Sequence, residues 1–351
     1  MSGMHGGIDV PALREAGIDP DRVLDFSVSI NPASLPQDIQ EIIRRSAIYR
    51  YPDSRSRIMV EALAREYGPD PSELLVVNGT SQAIYLIAAT ALGPGKTTLI
   101  AAPTYSEYRD AAEVFGARIV ALRAPRETGY RFDIEALIRA IRTERPSVFW
   151  ICSPNNPTGA WLDPSEVGRL RGACRDAGAL MVLDEAYRCF APPGLLGEEF
   201  HPGVVHLRSM TKDFCIPGLR LGWLRGDAAV VAELMRRQPE WSVSAPAQDA
   251  GTACLGRLEY FEKSWADTRR ETDRMAGELR RLGLNPLPSA ANFLLVNIGD
   301  DAAVKGLSRA LWTRLIQVRD CASFGLEGYI RIGTRSPADT DVLIDALGEL
   351  L

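Results

Sequence analysis

Cysteine and histidine are both scarce in this chain of 351 residues, with six of the first and three of the second. Cys152, Cys174, Cys189, Cys215, Cys254 and Cys321 stand far apart and form no CxxC pair, and His5, His201 and His206 show no metal-ligand spacing. Neither a metal centre nor a disulfide framework is expected; reduced, mostly buried thiols are. Long hydrophobic runs are missing too. The longest mostly apolar stretch, Ala83 to Leu92, is about half of the ~20 residues that a membrane-spanning helix needs. Nor does Met1-Ser2-Gly3-Met4-His5-Gly6-Gly7 show the basic-then-apolar order of a secretory signal peptide, so a cytoplasmic protein with no membrane partner is expected. Positive charge is not in excess either: 40 Lys+Arg against 45 Asp+Glu leave −5, the wrong sign for a general nucleic-acid binder. A local basic pocket for a small anion is compatible with that balance.

What is present is the composition of a globular enzyme-sized chain, 46% apolar and 24% charged. Its length suggests about two domains at ~150 residues each. Short apolar runs rich in Val and Ile recur at Leu74-Val77, Thr98-Ala102, Arg118-Leu122, Val148-Cys152, Leu180-Leu183, Val204-Leu207 and Leu219-Leu224. They lack polar alternation, as strands covered on both faces do. Helical patterns lie between them at Ser81-Leu92, Tyr105-Phe115, Ile134-Thr143 and Pro164-Ala177. Strands alternating with helices indicate an α/β domain with a mostly parallel sheet, expected over residues 50–255. Residues 256–351 read as a smaller α+β domain: a long charged helix from Trp265 to Leu282, strands at Asn292-Asn297 and Gly328-Gly333, and helices at Ala302-Leu315 and Pro337-Leu350. Residues 1–49 are expected to join that smaller domain.

One motif misleads. Gly93-Pro94-Gly95-Lys96-Thr97-Thr98 ends like a P-loop, but position 90 is Thr where the motif needs Gly, and the segment precedes a strand instead of following one. A turn into a strand is expected there. More specific is Ser209-Met210-Thr211-Lys212, followed eight positions after the lysine by Arg220. A partly desolvated amine can lose its proton and form a Schiff base with an aldehyde. Ser209, Thr211 and Arg220 would then surround a phosphate with hydroxyl donors and a guanidinium fork. Three further segments stand where strands end: Ser153-Pro154-Asn155-Asn156-Pro157-Thr158-Gly159, Asp184-Glu185-Ala186-Tyr187, and Asn78-Gly79-Thr80-Ser81 at a helix start, where free N–H groups receive a phosphate. The carboxyl ends of strands are where open α/β sheets bind ligands.

This combination resembles the fold type I pyridoxal-phosphate (PLP) enzymes of the class I/II aminotransferase family, along nearly the whole chain. The resemblance implies the PLP-dependent transferase fold type I: a mostly parallel large-domain sheet with helices on both faces, plus the smaller α+β domain. It also implies PLP as cofactor and a set of roles. Lys212 is the Schiff-base lysine, and Asp184 pairs with the protonated pyridine nitrogen. Asn156 and Tyr187 hydrogen-bond the ring's 3-hydroxyl, and Tyr105 stacks on the ring. Thr80, Ser81, Ser209, Thr211 and Arg220 form the phosphate cup. Tyr51 reaches the phosphate from a neighbouring subunit, which implies a homodimer with shared active sites. Arg331 binds the substrate α-carboxylate.

Within the family the chain is most similar to the threonine-phosphate decarboxylase group of cobalamin synthesis and to the related histidinol-phosphate aminotransferases. His5-Gly6-Gly7, Asp25-Phe26-Ser27 through Ile30-Asn31-Pro32, Lys212 through Gly222, and Arg319-Asp320-Cys321 with Tyr329-Ile330-Arg331 and Arg335 carry that similarity. It implies His5, Asn31, Arg319 and Arg335 as substrate-binding residues beside Arg331, suited to a second anionic group; ordinary ion pairing is the alternative for Arg319 and Arg335. Three positions depart from the pattern. Ser29 and Ser244 stand where asparagines are expected, near the presumed substrate pocket, and Asp213 adds a negative charge beside Lys212. The leading expectation is a PLP-dependent decarboxylase of a phosphorylated or otherwise anionic amino acid, with O-phospho-L-threonine as first candidate. An aminotransferase of histidinol-phosphate or amino-acid type is the alternative, as is a secondary-metabolism PLP enzyme with altered substrate. A PLP-binding regulator is disfavoured, because the ~50 residues before Tyr51 show no helix-turn-helix and little basic excess.

Overall fold

The computed structural model describes residues 6–197 and 200–351. Its strands, in chain order, are β1 (Leu24–Asp25), β2 (Leu74–Val77), β3 (Thr97–Ala102), β4 (Arg118–Arg123), β5 (Val148–Cys152), β6 (Leu180–Asp184), β7 (Val204–Ser209), β8 (Gly222–Arg225), β9 (Asn285–Pro286), β10 (Phe293–Asn297), β11 (Ile316–Gln317), β12 (Arg319–Asp320) and β13 (Tyr329–Gly333). Seven of them form one sheet in the order β2-β8-β7-β6-β5-β3-β4, parallel except for β8. The two faces of this sheet explain the uninterrupted apolar runs. Ile100, Trp150 and Val182 join one core with the Gly79–Ala91 helix, while Leu99, Phe149, Ile151, Met181 and Leu183 join the opposite core with helices Ile134–Glu144 and Pro164–Ala177. Each buried aliphatic side chain contributes about 1.5–3 kcal/mol to such a core. β4, at the edge, keeps exposed arginines at both ends.

Helix boundaries follow local chemistry. Asp163 caps the Pro164–Ala177 helix in a reciprocal capping box with Glu166, Pro164 stands at its first position, and Gly178 ends it with φ of 70°. The Gly93–Lys96 segment is a turn leading into β3, with Lys96 N donating to Gly93 O. The Leu219-Leu224 run is shorter as a strand than its composition suggests. Pro217–Leu219 form a 3₁₀ turn and Arg220 takes a left-handed φ of 54°, so extended structure begins only at Gly222.

The antiparallel sheet β12-β13-β10-β9 is covered by the Leu258–Arg281, Asp301–Trp312 and Pro337–Leu350 helices, whose Met275, Leu279, Leu311 and Leu343 pack with Leu294, Val296, Ile330 and Ile332. Part of the N-terminal segment enters this layer, β1 pairing in parallel with β11 and Phe26 lying in the same core, whereas Ile39 of the Gln37–Arg45 helix packs with Met59, Ala247 and Ala250 in another. All six cysteines are free thiols, four buried and Cys189 and Cys215 half-buried. Among the described residues no helix is long and apolar enough to cross a membrane.

Candidate active site

The parallel strands deliver their C-terminal ends to one edge of the large sheet. Asn78 follows β2, Tyr105 follows β3, Asn156 follows β5, Asp184 ends β6, and Ser209 ends β7 with Lys212 three residues on. Antiparallel β8 starts at this edge, where Gly222 stands opposite both Ser209 and Val77. A side chain does not fit there: a Cβ on Gly222 would lie 3.0 Å from Thr80 N and from Arg208 O. Gly79 is similarly constrained, with φ of 69° and Arg220 Nη2 3.0 Å from where its Cβ would be.

These ends enclose a cavity of about 180 Å³. Eleven of the residues expected from sequence line it: Thr80, Ser81, Tyr105, Asn156, Asp184, Tyr187, Ser209, Thr211, Lys212, Arg220 and Arg331. Lys212 is half-buried because it opens onto the cavity, yet burial, reinforced by the charges of Arg331 and Arg220, brings its amine down to about 8. Its backbone is clasped from outside. Asn31 N donates to Lys212 O at 2.8 Å, and Asp213 O accepts from Asn31 Nδ2 at 2.9 Å and from Trp265 Nε1 at 2.7 Å.

Asp184 is 4% exposed, and burial pushes its carboxyl up while hydrogen bonds from Tyr108 and the Ala186 N–H oppose the rise. Glu185, next in sequence, points the other way. Burial works against its ionisation, but Arg208, His206 and Arg188 outweigh it and hold the carboxyl well below the usual range. Asn156 Oδ1 accepts from Arg331 Nη1, and Arg331 Nη2 donates to Ser27 O at 2.7 Å. Among the described residues no carboxylate pairs with Arg331 and its Nε has no partner. Asn155, by contrast, is scaffold: it bonds Pro103 O, Thr158 and Thr104, fixing the turn that carries Asn156.

An adjoining cavity of about 80 Å³ shares Tyr105, Asn156 and Arg331 and adds Arg319, Ser106 and Ser323. Arg319 donates to Ser323 Oγ at 2.8 Å and stands opposite Arg331 across β12 and β13. Burial, and then Arg331, lower its affinity for its proton.

Other expected residues lie elsewhere. Asn31 is fully engaged in the Lys212 clasp, where its Nδ2 also reaches Ser264 Oγ and its Oδ1 accepts from Ala33 N; it does not line the cavity. Arg335, two residues past β13, is half-buried over the Phe26 ring and does not line the cavity; it pairs with Asp339 at 3.0 Å and donates to Asp25 O, so the ion-pair alternative describes its position. Tyr51 is 77% exposed, outside this chain's own cavity. His5 lies outside the described residues. Ser29 lines the cavity with a buried hydroxyl that has no partner among the described residues. Ser244 does not line this chain's own cavity: it caps the Ala245–Leu255 helix and borders the surface around Tyr51. Asp213 also differs from the charge expected of it, because burial pushes its carboxyl up to about 8, leaving it mostly protonated at neutral pH. Val28, Tyr108, Cys152 and Ala186 are wall residues that sequence reasoning passed over; the signal for Tyr108 is the spacing of three from Tyr105, which brings both rings to one side of a helix start.

The site fits PLP. The Gly79–Ala91 helix has no side-chain cap, so its first N–H groups remain for a phosphate, with Ser209, Thr211 and Arg220 beside them. A buried carboxylate and a lysine of lowered proton affinity share the cavity with an aromatic wall. The aminotransferase class I and II family model matches residues 21–347. The chain belongs to that family. It is therefore a PLP-dependent enzyme of the class, and its large sheet is that of PLP fold type I. The family member is 33% identical to the threonine-phosphate decarboxylase of Salmonella typhimurium over 99% of this chain and 96% of that one. It is also 33% identical to the histidinol-phosphate aminotransferase of Granulibacter bethesdensis, over 86% and 82%. The histidinol-phosphate aminotransferase of Sinorhizobium meliloti, solved with pyridoxal-5'-phosphate, superposes with a TM-score of 0.86 at 23% identity, over 98% of this chain and 94% of that one.

Proposed function

We propose that this enzyme decarboxylates an amino acid bearing a second anionic group, with O-phospho-L-threonine the first substrate to test. The observation that carries the reading is the Arg319–Arg331 pair. Both are nearly buried and directly opposite in one sheet, where like charges repel. A substrate α-carboxylate on Arg331 and a phosphate toward Arg319 would relieve that repulsion, and a guanidinium fork matches both anions. A histidinol-type substrate has no carboxylate for Arg331. Similarity along nearly the whole chain to the Salmonella protein supports the same reading.

PLP, when bound, acts as the electron sink that lets a bond at the substrate α-carbon break. Lys212 would hold the cofactor and then move a proton at that carbon, a task suited to an amine near 8. Asp184 would face the ring nitrogen, Asn156 and Tyr187 the 3-hydroxyl, and Tyr105 the ring face. Thr80, Ser81, Ser209, Thr211 and Arg220 would take the phosphate. Incubation of the PLP-loaded enzyme with O-phospho-L-threonine should release one CO2 per substrate consumed. Amino transfer from histidinol phosphate to 2-oxoglutarate, without CO2 release, would replace this reading by the aminotransferase one that the Granulibacter relative supports.

The enzyme is also proposed to work as a homodimer. Tyr51 stacks on Trp241 at a centroid distance of 4.5 Å, and Ile48 and Tyr49 beside it are exposed, an apolar patch of the kind that marks an interface. A second copy is the occupant, with Tyr51 completing the partner's phosphate cup. Mixing Tyr51→Ala and Lys212→Ala proteins should restore activity, since each mixed dimer regains one intact site. Failure to complement in a dimer shown by sedimentation to exchange subunits would remove Tyr51 from the shared site.

A further inference from the structure

Behind the cavity wall lies a chain of contacts that ends on Asp184. Thr98 Oγ1 donates to Val148 O at 3.1 Å and accepts from Trp150 Nε1 at 2.9 Å, which fixes the indole. The Tyr108 ring stacks on that indole, 5.2 Å between centroids and 10° between planes, and meets the edge of Tyr105 at 5.9 Å. Tyr108 and Trp150 are both 0% exposed, so the phenol has little freedom to turn. Its hydroxyl lands 2.6 Å from Asp184 Oδ2, while Ala186 N donates to Oδ1 at 3.0 Å. Each carboxylate oxygen thus holds one protein donor and keeps lone pairs for a further partner.

We propose that Tyr108 is a positioning residue acting through Asp184: its hydrogen bond fixes the carboxylate's orientation and sets the proton balance between that carboxylate and the ring nitrogen of bound PLP. The inference rests on the reading that Asp184 faces the ring nitrogen. Three observations support it. Without Tyr108, Oδ2 would have no protein donor in a place where burial already works against ionisation. The phenol is itself held far above its ordinary proton affinity by burial and by Asp184, so it donates at every working pH instead of exchanging its proton. And the Thr98–Trp150 brace does not touch Asp184, so it can be cut separately from the hydrogen bond.

The test uses the PLP-loaded enzyme and reads the pH at which the bound cofactor's absorbance titrates. Tyr108→Phe keeps the stack and removes the donor. Its titration should move upward by about one to two pH units, the scale of a lost hydrogen bond to a charged group. The direction follows because a ring nitrogen without a charged partner loses its proton and repels less a proton at the Lys212 nitrogen. Tyr108→His, which keeps an N–H donor, should stay closer to the wild type than Tyr108→Phe does. Thr98→Val loosens the brace alone and should leave the titration unmoved. Two results separate the failures. If Asp184→Asn leaves the titration unmoved, the reading of Asp184 itself falls. If Asp184→Asn shifts it and Tyr108→Phe and Tyr108→His both match the wild type, Tyr108 is only a packing residue and the inference is overturned.

Discussion

Lys212→Ala is expected to lower turnover by on the order of 10⁴-fold or more, because in the proposed function one amine both holds the cofactor and moves the proton. The environment of that amine gives the expectation its pH signature. With the group near 8, about a tenth of it is unprotonated at pH 7, roughly 300-fold more than at the ordinary 10.5. Burial comes first among the causes, then the cations Arg331 and Arg220. The rate at which apo enzyme takes up PLP should therefore rise about tenfold per pH unit below 8 and level off above it. Stopped-flow absorbance measures this directly. A profile still rising through pH 10 would mean that Lys212 is not the attacking amine, or is not enclosed as the structure has it. The alanine variant should keep its fold, since Asn31 and Trp265 clasp the backbone carbonyls of residues 212 and 213 and not the lysine side chain.

The strands that aim this lysine were legible because a strand buried on both faces leaves an uninterrupted apolar run, and β2 and β5 begin and end where those runs do. Many of the site residues were legible for a related reason: Thr80, Tyr105, Asn156, Asp184 and Lys212 stand at or just after the end of such a run. What escaped depends on neighbours distant in sequence. The Ala245–Leu255 helix is hard to read because the face it buries is built mostly of small residues, Ala247, Ala250, Gly251 and Cys254, and a Cβ on Gly251 would come within 2.6 Å of Leu221 and 3.0 Å of Met59. The Arg57–Tyr67 helix that brings Met59 there begins at Ser56 in a left-handed conformation, with no side-chain cap to announce it. Arg331 and Arg335 look equivalent on paper, four residues apart. Gly333 ends β13, and after that turn the second arginine meets Asp339 and the first alone faces the cavity. Asp213 reads as a charge in sequence, whereas burial decides that it is mostly an acid with its proton on.

Arg331→Leu is the other change of large expected effect, and its signs differ between activity and stability. Arg331 is 5% exposed, lies over the Phe293 ring at 5.1 Å, and faces Arg319 across the sheet. Its hydrogen bonds go to two neutral oxygens, of Asn156 and Ser27. A buried cation with no counter-charge among the described residues weakens the empty protein, and in the proposed function its anion arrives with substrate. Removing it should lower kcat/KM by about 10²–10³-fold, the scale of a buried charged hydrogen bond lost from a complex, with most of the change in KM. The melting temperature of the unliganded enzyme should not fall in step, because lost hydrogen bonds to Asn156 and Ser27 are offset by the relieved charge. A third readout ties the arginine to the lysine. Arg331 is the leading charge holding the Lys212 amine down, so in the leucine variant the PLP-uptake profile should move to higher pH. Activity lost together with a collapse in melting temperature, and with no movement of that profile, would show Arg331 to be a structural residue of the β13 edge and not the site's waiting charge.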